Sequence, residues 1–330
     1  GIIQLTTNQP HRVAEKVATL DLVSGGRVEF GMGEGAGPAE LHPFGIQVRS
    51  KRDRWEEAVK ATIPMFTKTD WEWHGDFYDF PARNVVPKPM QKPHPPLWVA
   101  CSNIQTIGQA GQWGMGALGF TFVSPDAAKA WVHKYYNNLL HNQQKLTDYP
   151  ANPNIAMVSG FMCAETDEEA YEKASGWTFF IFALSHYGRE GIAAPGQGNL
   201  WEKFQDWRHS DKAKKAFEGA LIGSPETIRR KLRMFQDAHV DQVILLNQAG
   251  KTSHEDRGGL GGLDRLAALL RCVPVADQAA KIPLEKFSCC CWACGDVGKA
   301  SALSIISSRP VSYASAGVRP SRAECGRAAL

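Results

Sequence analysis

Long apolar runs are missing from this chain of 330 residues. No stretch approaches the roughly 18 uninterrupted apolar residues of a membrane-spanning helix, so no membrane is expected among its partners. The opening residues, Ile2-Ile3-Gln4-Leu5-Thr6, read as a strand and not as a charged start with an apolar core, so no export signal is read there and a cytoplasmic protein is expected. Charge of one sign is scarce as well. Lys and Arg number 37 against 34 Asp and Glu, a net charge of +3 without a basic run, which argues against a nucleic-acid partner. Cysteine is thin through most of the chain: Cys101 and Cys163 stand alone in apolar surroundings, where a buried free thiol is the ordinary state. Cys289, Cys290, Cys291 and Cys294 crowd near the end, and Cys291 and Cys294 have C-x-x-C spacing. A four-ligand zinc site would need a second pair, yet only Cys325 follows and no histidine comes after His254; no metal is expected.

What is present is an alternation of strand and helix patterns. Strands are expected at Ile2–Thr6, Val28–Gly31, Leu97–Ala100, Ala117–Phe120, Ile155–Cys163 and Gln242–Leu246, and helices at 11–23, 51–66, 104–113, 125–140, 167–185 and 225–238. That order is the mark of a parallel α/β fold. In the first helix Pro10 can occupy the opening position, Val13, Val17 and Leu20 with Ala14 and Ala18 form an apolar stripe, and Ser24-Gly25-Gly26 ends it. Thr166-Asp167-Glu168-Glu169 reads as a capping box, and Ser124-Pro125-Asp126 and Ser224-Pro225-Glu226 as capped starts. Gly31-x-Gly33-x-Gly35 follows a strand but lacks the G-x-G-x-x-G spacing of a dinucleotide fingerprint. Trp71, Trp73, Phe77, Tyr78 and Phe80 read as hairpin packing, and the stretch 186–222 is too long for a plain connection and reads as a lid or wall.

One segment, PHRVAEKVATLDLVSGGRVEFGMGEG at 10–35, resembles the luciferase-like monooxygenases, flavin- or deazaflavin-dependent (β/α)8 barrels with an L-D-x-x-S-x-G-R turn before such a strand. Ala39–Gly45 resembles the loop after that strand, Arg52, Arg54 and Glu57 the following helix, and Gly75-Asp76-Phe77-Tyr78 a small sheet excursion. Pro87–Ala100 and Gly223-Ser224-Pro225-Glu226 continue the likeness. The resemblance implies an α/β fold, a TIM barrel of the luciferase-like type. Residue 1 opens in a strand like the family's third, so the barrel is expected to lack its first two β/α units and the isolated chain to fold incompletely. Residues 1–256 form the barrel domain on this reading, and 257–330 an aberrant tail without function.

The resemblance also implies a chemistry: reduced FMN from a separate flavin reductase, with O2, oxidising an aldehyde, alkane or ketone. F420-dependent hydride transfer is the alternative on the same fold. A non-catalytic partner subunit or an inactive fragment is the alternative of another class. The flavin phosphate is expected at Cys101-Ser102-Asn103-Ile104-Gln105-Thr106, chiefly on Ser102 and Thr106, where an ordinary helix cap is the competing reading. Thr6, Thr7 and Asn8 are expected under the flavin ring, where the family often has an unusual peptide bond, and Gly31 and Gly33 where the backbone approaches the cofactor. His42 is the candidate proton carrier, and Glu40, Asn247 and Gln248 are candidate pocket residues. Some luciferases carry a phosphate-binding arginine where this chain has Glu34. Arg52 and Arg54 are expected in surface or inter-helix ion pairs. A homodimer is expected, with the helix at 51–66 offering an apolar face.

Overall fold

The computed structural model describes residues 2–119, 124–190, 200–246 and 304–306. From the start, β1 (Ile2–Gln4) turns through Leu5–Thr7 into α1 (Pro10–Val23), and β2 (Phe30–Gly33) leads to the short α2 (Pro38–Leu41) and to α3 (Lys51–Thr62). The hairpin β3 (Trp71–His74) and β4 (Asp79–Arg83) precedes β5 (Leu97–Cys101), α4 (Ile104–Trp113), β6 (Gly116–Gly119), α5 (Pro125–His141) and β7 (Ile155–Cys163). Four helices follow, α6 (Asp167–Lys173), α7 (Ser175–Glu190), α8 (Leu200–Trp207) and α9 (Asp211–Glu218), then β8 (Leu221–Gly223), α10 (Pro225–Asp237), β9 (Gln242–Leu246) and β10 (Ser304–Ile306).

The main sheet runs β1-β2-β5-β6-β7-β9-β10, with β8 alongside β7. All of these pairs are parallel except β10 on β9. The strands lie side by side in the order of the chain, with no reversal. A doubly wound dinucleotide-binding sheet reverses its order at a switch point; a singly wound barrel sheet does not. The TIM-barrel expectation is met and the dinucleotide fold excluded. Of the tail 257–330, only 304–306 fall within the described residues, where Ser304 pairs with Ile244. Among the described residues no helix is long and apolar enough to cross a membrane, and no group of three His, Cys, Asp or Glu could hold a metal.

Several boundaries differ from the sequence expectation. Strand β2 starts at Phe30, not Val28, because Phe30 N–H bonds Pro96 O at 2.8 Å and Gly31 pairs with both Ile2 and Trp98. Gly31 and Gly33 therefore lie inside the strand. A Cβ on Gly33 would come within 2.9 Å of the Ile2 side chain, so its bareness lets β1 close onto β2. Strand β8 was not expected; three residues are too few for a period, and its place is set by β7. The expected helix 51–66 ends at Thr62 and tightens into a 3-10 turn at Ile63–Phe66, where Pro64 lacks its N–H. Its Trp55, Ala58, Val59 and Ala61 are buried in the protein's own core, so they offer no dimer face. The expected helix 167–185 is two helices, α6 and α7, parted at Ala174.

Leu20 is corrected too: it is 57% exposed, while Asp21 is fully buried. The inward face runs Val13, Ala14, Val17, Ala18, Asp21, and position 21 lies four residues beyond Val17, one turn along the same face. Over 186–222, α8 and α9 pack against α7. Phe204, fully buried, meets Phe179 edge-on at 5.2 Å and lies 5.8 Å from Phe182, so these aromatics build a helical layer.

The junction of α6, β8 and α10 carries a measurable charge effect. Asp167 accepts Ser224 N–H at 2.6 Å and the Thr227 hydroxyl at 2.9 Å, and the Ser224 N–H above all holds its carboxyl below the ordinary value of 3.8. A depressed carboxyl contributes stability above its unfolded pKa that is lost as pH falls through the folded one. Asp167→Asn is thus expected to lower the melting temperature at pH 7 and to lose that deficit progressively below about pH 4. A deficit independent of pH in melting curves between pH 3 and 7 would show that the contribution is not electrostatic.

Candidate active site

In parallel barrels, sites form at the carboxyl ends of the strands. At the end of β1 the chain turns sharply, and Thr6 there is fully buried. Its hydroxyl donates to Glu34 O at 2.9 Å, just beyond β2, so Thr6 ties two strand ends together instead of presenting its side chain. Its own carbonyl accepts Arg54 Nε–H at 2.8 Å. Among the described residues Arg54 is therefore in no surface or inter-helix ion pair: its guanidinium lies 4.9 Å from the Tyr78 ring and 5.6 Å from Phe77. The peptide bonds at Leu5–Asn8 are ordinary; the cis bonds precede Pro87 and Pro93.

Thr7 and Asn8 are half-exposed and belong to a polar chain. Asn8 Nδ2 donates to Gln4 O at 2.8 Å and the Thr7 hydroxyl to Gln4 Oε1 at 2.9 Å. Gln4 Nε2 continues to Glu40 Oε2 at 2.9 Å, which also accepts Ala36 N–H at 2.8 Å. Glu40 thereby fastens the loop after β2 to the end of β1. His42 follows on a short 3-10 turn, exposed. Glu34 faces Arg52 at 2.7 Å, with Lys51 at 4.0 Å; Arg52 also bonds Gln109 on α4. The end of β2 is thus a neutralised pair, and the ion pair expected of Arg52 exists, with a strand-end carboxylate as its partner.

At the end of β5, Cys101 is fully buried in the core and packs below the surface of the site. Burial pushes its thiol well above the ordinary range, which makes it an inert packing group. The turn above it opens α4. Asn103 is the cap: its Oδ1 accepts both the N–H (2.9 Å) and the hydroxyl (3.0 Å) of Thr106. Thr106 is 9% exposed, so both of its donors are held by the cap, while Ser102 and Asn103 are exposed at the helix start. The helix-cap reading is the one observed, and such a cap leaves the first N–H groups of the turn without an intrahelical partner.

Strands β1, β2 and β5 are consecutive neighbours, so the sheet brings Thr7, Asn8, Glu40 and Ser102 to one edge. Asn247 and Gln248 lie outside the described residues. Sequence reasoning missed Gln4, which links Asn8, Thr7 and Glu40, and the anchoring roles of Arg54, Tyr78 and Glu57. Their signal was present only in part, as an arginine and a glutamate one helical turn apart on α3.

A family model described as luciferase-like monooxygenase matches residues 1–242. The chain is 32% identical over 254 residues to an FMNH2-dependent dimethylsulfone monooxygenase from Pseudomonas putida, a match over 71% of this chain and 65% of that protein. It is 27% identical over 194 residues to the oxygenase component of a flavin-dependent trigonelline monooxygenase from Acinetobacter baylyi, covering 56% of this chain and 52% of the other. The chain spans about half to two thirds of the length of these curated relatives. Its fold is similar to that of a coenzyme F420-dependent tetrahydromethanopterin reductase from Methanopyrus kandleri, with a TM-score of 0.61 and 19% identity over 79% of this chain and 80% of that one. With the singly wound parallel sheet and its polar strand ends, the match places this chain in the luciferase-like monooxygenase family.

Proposed function

We propose that the chain is the oxygenase component of a two-component flavin monooxygenase. It takes reduced FMN from a separate flavin reductase and uses O2 to oxidise a small organic molecule of aldehyde, alkane or ketone type. The observation that carries this reading is the pairing of two unlike polar ends on one edge. An exposed hydroxyl stands at the start of a ten-residue helix after β5, and a half-exposed Thr7-Asn8 pair follows β1. The donor set fits: the Ser102 hydroxyl and first-turn N–H groups suit a phosphate dianion. The neutralised Glu34–Arg52 pair puts no net negative charge beside it.

Bound reduced FMN would supply the electrons with which O2 is activated. The rest is this chain's part. Ser102, Asn103 and the start of α4 hold the phosphate, with Thr106 fixing the cap; Cys101, Gly31 and Gly33 keep the strand surface closed and smooth. Thr7 and Asn8, on the turn that Thr6 fixes, would orient the ring. Glu40 borders the substrate, and His42 carries a proton at the exposed rim. The reading includes a homodimer in the cytoplasm.

The test is a titration of the full chain with FMN and, separately, F420, followed by absorbance and fluorescence. FMN is expected to bind, and Ser102→Ala to weaken it about tenfold, the size of one hydrogen bond to a charged group. His42→Gln is expected to leave FMN binding unchanged and to slow oxidation of a long-chain aldehyde, with a flavin reductase supplied, by about 100-fold. Binding of F420 in place of FMN would favour hydride transfer, the reading that the fold similarity to the F420-dependent reductase supports. Binding of neither, with co-purification of a homologous chain, would make this a non-catalytic partner.

A further inference from the structure

Two successive carbonyls at the end of β1 are gripped from outside the sheet. Arg54 on α3 donates Nε–H to Thr6 O at 2.8 Å, and Tyr78 donates its hydroxyl to Leu5 O at 3.1 Å, with Thr6 O at 3.5 Å. Leu5, Thr6 and Tyr78 are all buried. The two gripping side chains are locked to each other, the guanidinium lying over the Tyr78 ring. Tyr78 sits where the β3–β4 hairpin turns, and that turn is fastened back to α3. The Glu57 carboxylate accepts N–H groups from Asp76 (3.1 Å), Phe77 (3.1 Å) and Tyr78 (2.9 Å) and from the Trp73 indole (3.1 Å). Helix and hairpin thus form one bracket that closes on the β1 turn.

A peptide unit is planar, and in its trans form the carbonyl and the next N–H point in opposite directions. Holding Thr6 O toward α3 therefore aims the Thr7 N–H away from α3 and sets the plane from which the Thr7 and Asn8 side chains project. The Thr6 hydroxyl bond to Glu34 O fixes the same residue from the neighbouring strand. We propose that Arg54, acting through Thr6 O and backed by Tyr78 and Glu57, is a positioning residue for the cofactor ring: it sets the Thr7-Asn8 segment in the orientation that receives it. The inference rests on the reading above that this segment meets the cofactor. The β3–β4 hairpin, remote from the strand ends in sequence, becomes part of the binding machinery through this bracket.

The experiment compares Arg54→Ala, Arg54→Lys and Tyr78→Phe in the full chain by two readouts. One is hydrogen exchange of the segment 2–9 without cofactor; the other is FMN affinity by fluorescence titration. Arg54→Ala is expected to raise exchange in 5–8 while leaving β7 and α10 protected, and to weaken FMN binding about tenfold. Arg54→Lys, which keeps a donor for Thr6 O, is expected to recover most of both. Tyr78→Phe keeps the ring and is expected to weaken binding about threefold, since it loses one neutral hydrogen bond. Wild-type chain that binds FMN, with Arg54→Ala equal to it in affinity and in exchange at 5–8, overturns the positioning role alone. Raised exchange at 5–8 with unchanged FMN affinity also overturns it, leaving Arg54 a purely structural anchor. Wild-type chain that binds no FMN overturns the functional reading, and the inference falls with it.

Discussion

Gly111→Ala is expected to destabilise the protein by about 3 kcal/mol, the upper part of the range for overpacking. Gly111 lies on α4 where α5 crosses it. A Cβ there would run into the Tyr135 carbonyl oxygen, with Leu139 N at 3.1 Å and Tyr135 C at 3.2 Å. These are backbone atoms of a neighbouring helix, so relief requires moving α5 as a body. Tyr135 cannot give way easily: it is fully buried, and its hydroxyl lies 2.9 Å from both Met115 O and Asn152 O, which share its single proton. Gly108, one turn earlier, is the internal control. A Cβ there meets the flexible ends of Lys134 (2.8 Å) and Asn138 (3.0 Å), which can swing aside. Alanine gains about 1 kcal/mol over glycine in a helix interior, so Gly108→Ala is expected to be neutral or mildly stabilising. Urea unfolding followed by tryptophan fluorescence separates the two. Equal stability of both variants would show that α5 yields to the added methyl group.

Asp21→Ala is expected to cost a similar amount, about 2–3 kcal/mol, through a different mechanism. Asp21 is a fully buried carboxylate at the end of α1. Its two oxygens take the Gln91 backbone N–H at 2.8 Å and the Gln91 side-chain amide at 2.7 Å, and that amide also donates to Val28 O at 2.7 Å. Removing the carboxylate leaves the Gln91 N–H without its acceptor and frees the long loop before β5 from the entry to β2. Asp21→Asn keeps one acceptor oxygen and is expected to lose about half as much. Chemical denaturation of the three proteins tests the order. A loss in Asp21→Asn equal to that in Asp21→Ala would mean that both oxygens are needed together.

The same residue shows why the family likeness was legible so early. In Leu20-Asp21-Leu22-Val23-Ser24-Gly25-Gly26-Arg27 nearly every polar position has a local partner. Ser24 Oγ donates to Asp21 O at 3.1 Å and accepts Arg27 N–H at 3.2 Å, and Gly26 N–H closes on Asp21 O at 2.8 Å. Gly25 and Gly26 take φ of 67° and 76°, the left-handed region that glycine enters at least cost. A helix end built from bonds within one turn is written in adjacent residues. The Asn103 cap and the Thr166 cap, whose oxygen accepts Glu169 N–H at 3.1 Å, are of the same kind. In the latter the glutamate reaches back to Glu165 N–H, one residue earlier than the box predicts.

What needed the tertiary structure is whatever depends on a partner distant in the chain. Asp21 faces inward because Gln91, seventy positions away, completes it; helical periodicity alone preferred Leu20. The end of β1 is shaped by Arg54 and Tyr78, more than forty-five positions away in the chain, and no spacing in the sequence announces that they converge. Read along the chain, the residues already carried the alternation of strands and helices, the parallel sheet and the caps at Asn103, Thr166 and Ser224, because hydrophobic period and capping bonds act over a few residues. The cap expected of Ser124 is not made, and α5 opens on Pro125 without a side-chain bond among the described residues. Only the folded chain decided which glycines admit a neighbouring helix or strand, which charges are neutralised and how the turn after β1 is held. Those outcomes are set by packing and hydrogen bonds between elements, and a linear pattern does not carry them.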